Sequence, residues 1–132
     1  MKTLIVEDDF TSRLLLQEIL KRFGEIHIAV NGKEAVEAVR SALAAGAPYD
    51  LICLDIMMPE MDGFEALKQI RSIEEARGIN YSSEGSKVFM TTALDQIKGV
   101  FQAFNGLCDA YLFKPIEKAK LVEQLHEFGL IN

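Results

Sequence analysis

Short apolar runs alternate with longer amphipathic stretches along the whole chain. Residues 2–6 carry Leu4, Ile5 and Val6, which predicts a strand, and the run stops at three carboxylates, Glu7, Asp8 and Asp9. A helical stretch follows with Leu15, Leu16, Ile19, Leu20 and Phe23 at helical spacings; Thr11 or Asp9 can cap it and Gly24 stops it. Ile26, Ile28 and Val30 alternate with His27 and Ala29, a second short strand closed by Asn31-Gly32. Residues 33–45 are Ala-rich and helical, with Val36, Val39 and Leu43 on one face and Gly46 and Pro48 behind them. Residues 51–54 form an apolar run that reaches a carboxylate, Asp55, before the turn residues Pro59 and Asp62-Gly63, so they predict a strand buried on both faces.

A third helix is expected over residues 63–75, with Phe64, Leu67, Ile70 and Ile73 inward. The Gly- and Ser-rich residues 77–86 predict a mobile surface loop. Val88, Phe89 and Met90 predict a fourth strand that ends at Thr91-Thr92. A weaker helix over residues 95–104, with Gly99 inside it, breaks at Asn105-Gly106. Tyr111, Leu112 and Phe113 predict a fifth strand ending at Lys114-Pro115, and residues 117–128 a last helix with Leu121, Leu125 and Phe128 on one stripe. Strand and helix thus alternate five times, the pattern of an α/β fold with a parallel sheet and helices on both faces. The expected architecture is flavodoxin-like, doubly wound (βα)5, with strand order 2-1-3-4-5, so that a crevice opens over the carboxyl ends of the first and third strands.

Length and charge narrow the function classes. The 132 residues fit one domain, and 49% of them are hydrophobic, enough for a core without disulfides or structural metal. A net charge of −6 and the lack of a Lys/Arg cluster argue against direct nucleic-acid binding. Cys53 and Cys108 have no metal-ligand spacing and read as reduced structural thiols. The apolar run at Leu4 is too short for a signal sequence or membrane span, so a soluble cytoplasmic protein is expected. His27 and His126 have no partner pattern, and Met57, Met58 and Met61 read as packing and turn residues.

The strand ends carry the candidate chemistry. The first delivers Glu7 and Asp8 to the crevice, the third Asp55, the fourth Thr92 and the fifth Lys114. Three carboxylates in one crevice raise one another's pKa unless a cation joins them, and an all-oxygen set suits Mg²⁺. A hydroxyl and an ammonium beside such a site can bind phosphoryl oxygens, and a carboxylate can be the nucleophile that forms an aspartyl phosphate.

Four segments together, Ile5-Val6-Glu7-Asp8-Asp9 with Arg13 downstream, residues 54–63, Met90-Thr91-Thr92-Ala93, and Tyr111-Leu112-Phe113-Lys114-Pro115, resemble the receiver domains of two-component response regulators. The resemblance covers essentially the whole chain. It implies Asp55 as phosphoacceptor, and Glu7, Asp8, Asp55 and the Met57 carbonyl as Mg²⁺ ligands. It further implies Thr92 as the hydroxyl that meets the phosphoryl group, Lys114 as its cation, Tyr111 as the switch aromatic, and a cis Lys114–Pro115 bond. Arg13 lies at the family's distance from Asp8, which leaves Asp9 to start the helix. The implied donor is a histidine kinase or histidine phosphotransfer protein, and the output is a changed affinity for a downstream protein, read on the face of the fourth helix, fifth strand and fifth helix. Met57 and Leu94 occupy the two positions where the family varies its phosphoryl lifetime, and neither can orient water, which predicts a long-lived phosphoform. Residues 1–132 are expected to be one receiver domain without an output domain, a signalling module and not an enzyme. The alternative is an aspartyl-phosphate phosphohydrolase of another family, such as the haloacid-dehalogenase type; it would need an acid where Met57 stands. A flavodoxin-like FMN binder would not place Glu7, Asp8 and Asp9 in its phosphate loop.

Overall fold

A computed structural model describes residues 1–93 and 106–132. The strands are β1 (Thr3–Val6), β2 (Ile26–Ala29), β3 (Leu51–Asp55), β4 (Lys87–Thr92) and β5 (Ala110–Phe113). All four pairings are parallel, and the order is β2-β1-β3-β4-β5, as expected. The helices described are α1 (Phe10–Leu20), α2 (Gly32–Ala44), α3 (Gly63–Ala76) and α4 (Lys118–Glu127), and a 3-10 turn (Lys21–Phe23) follows α1. The helix expected at residues 95–104 lies outside the described residues.

Alternation along the strands splits the core in two. Leu4, Val6, Ile52, Leu54, Val88 and Met90 point to one face, against Val36 and Val39 of α2 and Leu67 and Ile70 of α3. Ile5, Leu51, Cys53, Phe89 and Leu112 point to the other, against Leu16, Ile19 and Leu20 of α1 and Leu121 and Leu125 of α4. Burying each such side chain contributes roughly 1.5–3 kcal/mol, so β1, β3 and β4, covered on both faces, form the stable centre. Three helices start on a side-chain cap: Asp9 accepts from Ser12 N, Asn31 from Glu34 N, and Asp62 from Glu65 N.

Three expectations about faces need correction. Leu15 is exposed, because Leu16, Ile19 and Leu20 already turn the inward stripe of α1 toward the sheet. Ile28 and Val30 are exposed too, and the buried residue of β2 is Ala29. The reason is that β2 is an edge strand with a neighbour on one side only. Leu43 and Ile73 are only partly buried at the rim of the core. The loop of residues 77–86 lies at the surface, as expected, but it is built locally. Asn80 accepts from Ser82 N and Ser82 Oγ through its side chain, and from Ser83 N and Glu84 N through its carbonyl.

Candidate functional site

The register between β1 and β3 pairs Val6 with Leu54, so Glu7 and Asp55 leave neighbouring strand ends side by side. One carboxylate oxygen from each of Glu7, Asp8 and Asp55 lies within 4.8 Å of the others. Glu7 and Asp55 are buried, while Asp8 faces solvent. The backbone holds Glu7 in place. Its N–H donates to Ala29 O at 3.1 Å, its carbonyl accepts from Arg13 Nη1 at 3.1 Å, and its Oε2 accepts from Asp9 N at 3.2 Å. Asp9 itself turns away to cap α1, and the hydrogen bonds from Ser12 hold its carboxyl below the usual range. The acids that cluster with Asp55 are therefore Glu7 and Asp8, and Asp9 caps the helix.

Lys114 reaches the cluster from beyond β5. Its Nζ is 2.8 Å from Glu7 Oε1 and 3.3 Å from Asp55 Oδ1. Burial pulls the ammonium's pKa down, but its close pairing with Glu7 and the charges of Asp55 and Glu7 outweigh it and raise it on balance. Asp55 is pushed up to about 7, first by burial and then by its hydrogen bond and charge repulsion with Glu7, which Lys114 only partly offsets. Among the described residues, the one ammonium paired with these carboxylates leaves the cluster short of positive charge. Glu7 Oε1 makes the same point: it is buried, and although Lys114 is near in distance, no well-aligned hydrogen bond reaches it. A buried, unsatisfied carboxylate oxygen beside two further carboxylates fits a hard, oxygen-preferring cation.

The other expected residues lie on β4, on β5 and just after β3. Thr92 ends β4, fully buried, and its Oγ1 donates to Ala93 O at 2.9 Å; its carbonyl accepts from Lys114 N at 2.7 Å. Met57 follows two residues after Asp55, with its N–H 3.4 Å from Asp55 Oδ1 and its side chain 56% exposed. Lys114–Pro115 is cis, as the resemblance implied. Tyr111 is the second residue of β5, opposite Met90, and is partly buried. Burial first, and then the neighbouring Cys108 thiol, raise the pKa of its hydroxyl, so it stays neutral. Gly63 opens α3 against the acceptor strand: its N–H donates to Ile56 O at 2.8 Å, and a Cβ there would come within 2.3 Å of Asp55 O.

Residues 3–126 match the family described as the response regulator receiver domain. The chain belongs to that family. It is a CheY-like receiver domain of two-component signalling, not an independent catalytic enzyme, and its acidic cluster has the composition that aspartate phosphorylation with a divalent cation requires. The receiver is 31% identical over 136 residues to probable histidine kinase 2 of Oryza sativa subsp. indica, covering 96% of this chain and 12% of that protein. It therefore spans only a small part of that relative. Among solved structures it resembles the receiver domain of Ssk1 in complex with the histidine phosphotransfer protein Ypd1 from Saccharomyces cerevisiae. That similarity has a TM-score of 0.81 at 29% identity, over 98% of this chain and 89% of that one. It also resembles the receiver domain of the histidine kinase CKI1 from Arabidopsis thaliana, complexed with Mg²⁺ and BeF₃⁻, with a TM-score of 0.77 at 28% identity over 96% of this chain and 89% of that one. No described helix of this receiver is long and apolar enough to cross a membrane.

One polar cluster escaped the sequence reading. Arg71 and Glu74 of α3 are almost fully buried, paired at 2.7 Å, and joined to Ser86, Leu107 and Asp109. Helical charges at this spacing ordinarily sit in solvent. The one local signal was the pair's position beside Ile70 and Ile73, on the stripe already read as inward.

Proposed function

We propose that this receiver accepts a phosphoryl group on Asp55 from a phosphohistidine and passes the change on as altered affinity for a downstream protein. The observation that carries the reading is the Glu7, Asp8 and Asp55 cluster with Lys114 in contact with two of its members. An oxygen of Asp55 attacks phosphorus, the new O–P bond forms as the donor's N–P bond breaks, and the electron pair stays on the departing imidazole nitrogen. The ammonium of Lys114 and the hydroxyl of Thr92 are assigned to the phosphoryl oxygens, where fixed positive charge lowers the barrier most. Mg²⁺ would be held by Glu7, Asp8, Asp55 and the carbonyl of Met57, and when bound it supplies the positive charge that three carboxylates and a phosphoryl group need.

The donor class is a histidine kinase or a histidine phosphotransfer protein. It is supported by the kinase relative and by the Ssk1 receiver, which binds such a phosphotransfer protein. Thr92 and Tyr111 are read as the switch pair. The output face assigned to them includes β5 and α4, and its remaining part, within residues 94–105, lies outside the described residues. A cytoplasmic setting agrees with two unpaired cysteines. Intact mass after incubation with acetyl phosphate and Mg²⁺ tests the reading: one added phosphoryl group is expected. Equal labelling of Asp55→Asn, or full labelling in a chelator, overturns it.

A further inference from the structure

We infer that Asp109 is a positioning residue for Lys114: its carboxylate, held by Arg71, locks the register of β5 at one end and so sets where Lys114 stands at the other. The inference rests on the role proposed above for Asp55 and adds a residue that places the cation of that site.

β5 has little else to hold it. It is four residues long, lies at the edge of the sheet and pairs with β4 alone. Of its residues only Leu112 is buried; Ala110 and Tyr111 are half-buried and Phe113 is exposed. Burial of one face is what ordinarily fixes a strand's register, and a slip of one residue turns every side chain to the opposite face. Such a slip also displaces the strand end by about 3.3 Å. Lys114 follows directly after β5. Its N–H donates to Thr92 O at 2.7 Å, and its Nζ lies 2.8 Å from Glu7 Oε1 and 3.3 Å from Asp55 Oδ1. An ammonium held this closely to two carboxylates depends on a fixed strand end.

The lock sits at the amino end. Just before the first pair of the β4–β5 ladder, Phe89 with Ala110, Asp109 N donates to Val88 O at 2.8 Å and Val88 N donates to Asp109 Oδ2 at 2.7 Å. The two residues thus bind each other twice, and the second bond runs through a side chain that this register brings to Val88. Arg71 of α3 holds that carboxylate: its Nη2 donates to Asp109 Oδ2 at 3.2 Å, while its Nε donates to Leu107 O at 2.8 Å. Arg71 Nη1 is tied in turn to Glu74 Oε1 at 2.7 Å and to Ser86 O at 2.9 Å. Lys87 Nζ stands 3.9 Å from the other carboxylate oxygen of Asp109. A buried ion cluster of this kind contributes little net stability, because desolvation offsets most of its attraction; its use lies in selecting one geometry among several. Here the geometry selected is the pairing of β5 with β4.

Asp109→Ala removes the lock and leaves every residue of the phosphoryl site in place. Three measurements follow Lys114: its Cε resonance by NMR in the metal-free chain, Mg²⁺ affinity by calorimetry, and the rate of labelling by acetyl phosphate. With Lys114 loosened from Glu7, Mg²⁺ affinity rises about twofold to fourfold. Labelling slows about tenfold, and the Cε resonance moves toward that of a free lysine. In a Lys114→Ala background, Asp109→Ala changes neither affinity nor rate, because the two residues act as one. Asp109→Asn keeps an oxygen for Val88 N and stays near the parent in all three. Arg71→Lys keeps the charge and loses the fork, so it gives the same signs at smaller size; it decides the matter if Asp109→Ala does not fold. A lower melting temperature with the parent's affinity, rate and resonance marks a purely structural role and overturns the inference. So do effects that persist undiminished without Lys114, and an Asp109→Asn variant as impaired as Asp109→Ala. No labelling of the parent overturns the reading of Asp55 itself, while the Lys114 resonance and the Mg²⁺ affinity still decide the positioning role.

Discussion

Lys114 stands closer to Glu7 than to Asp55, at 2.8 Å from Glu7 Oε1 and 3.3 Å from Asp55 Oδ1. The ammonium therefore competes with any cation for the carboxylates it neutralises, while serving the phosphoryl group that the same cation would help to bind. Lys114→Ala separates the two effects. Affinity for Mg²⁺, measured by calorimetry, is expected to rise severalfold, since the competing charge is gone. The rate of labelling by acetyl phosphate is expected to fall about a hundredfold, the usual cost of losing one group aimed at developing charge. Weaker Mg²⁺ binding than in the parent would refute the competition.

Asp55 links stability to pH. Its folded-state pKa is pushed up to about 7, well above the roughly 4 of an unfolded aspartate. The folded protein therefore holds a proton that the unfolded chain releases between those values. Stability from this group is present at acid pH and is lost as pH rises through 7. In chelator, Asp55→Asn is expected to be more stable than the parent at pH 8 by about 1–3 kcal/mol, and by much less at pH 5. Adding Mg²⁺ should narrow the difference at pH 8, because a cation that binds only the folded parent stabilises it. Melting curves at the two pH values decide; an equal gain at both would mean that Asp55 is not under charge stress.

Gly85 is needed where Glu74 folds back under the loop. A Cβ at this position would lie 2.8 Å from both carboxylate oxygens of Glu74 and 2.8 Å from the Cα of Tyr81. Gly85→Ala is expected to cost about 1–3 kcal/mol through forced displacement of a buried cluster. Urea unfolding measures it, and labelling by acetyl phosphate should stay near the parent rate. A neutral substitution would show that the loop yields more easily than its hydrogen bonds suggest.

The lifetime of the phosphoform rests on what can hold an attacking water. Met57 has its N–H beside Asp55 and a side chain that is 56% exposed, with no group to orient water; Leu94 lies outside the described residues. Met57→Asn with Leu94→Glu is expected to speed loss of phosphate on the order of tenfold, by restoring a hydrogen-bonding group on the approach line. Mass spectra taken over time compare the two proteins. A double variant as slow as the parent would remove these positions as the determinant.

Much of the fold was legible because the sheet is buried. A strand covered on both faces must be apolar along its length, so Leu4 to Val6 and Leu51 to Leu54 announced themselves, and the first polar residue after each had to sit at the carboxyl edge. That alone brought Glu7 and Asp55 to one place, and the same rule applied to β5 gives Lys114; for β4 it gives Thr91, and Thr92 was preferred only because Ala93 follows it. Asp9 was readable as a cap because Asp at a helix start satisfies a backbone N–H that nothing else in its turn can reach.

The tertiary structure alone decided which partners those groups keep. Periodicity says that α1 has an apolar stripe; only the position of the sheet says that Leu16 enters it and Leu15 does not. Ile28 and Val30 look like core residues in sequence and lie exposed because β2 is an edge strand. Arg71 and Glu74 look like an ordinary solvent pair on a helix. They are buried because Leu107 and Asp109, 36 and 38 residues away from Arg71, come back to meet them. A charge's free energy depends on the dielectric and on the donors around it, and those are assembled by contacts distant along the chain. Short-range pattern therefore determined the elements and the edge where the chemistry lies, while long-range packing determined the charge state of Asp55, the preference of Lys114 for Glu7, and the grip of Arg71 on the entrance to β5.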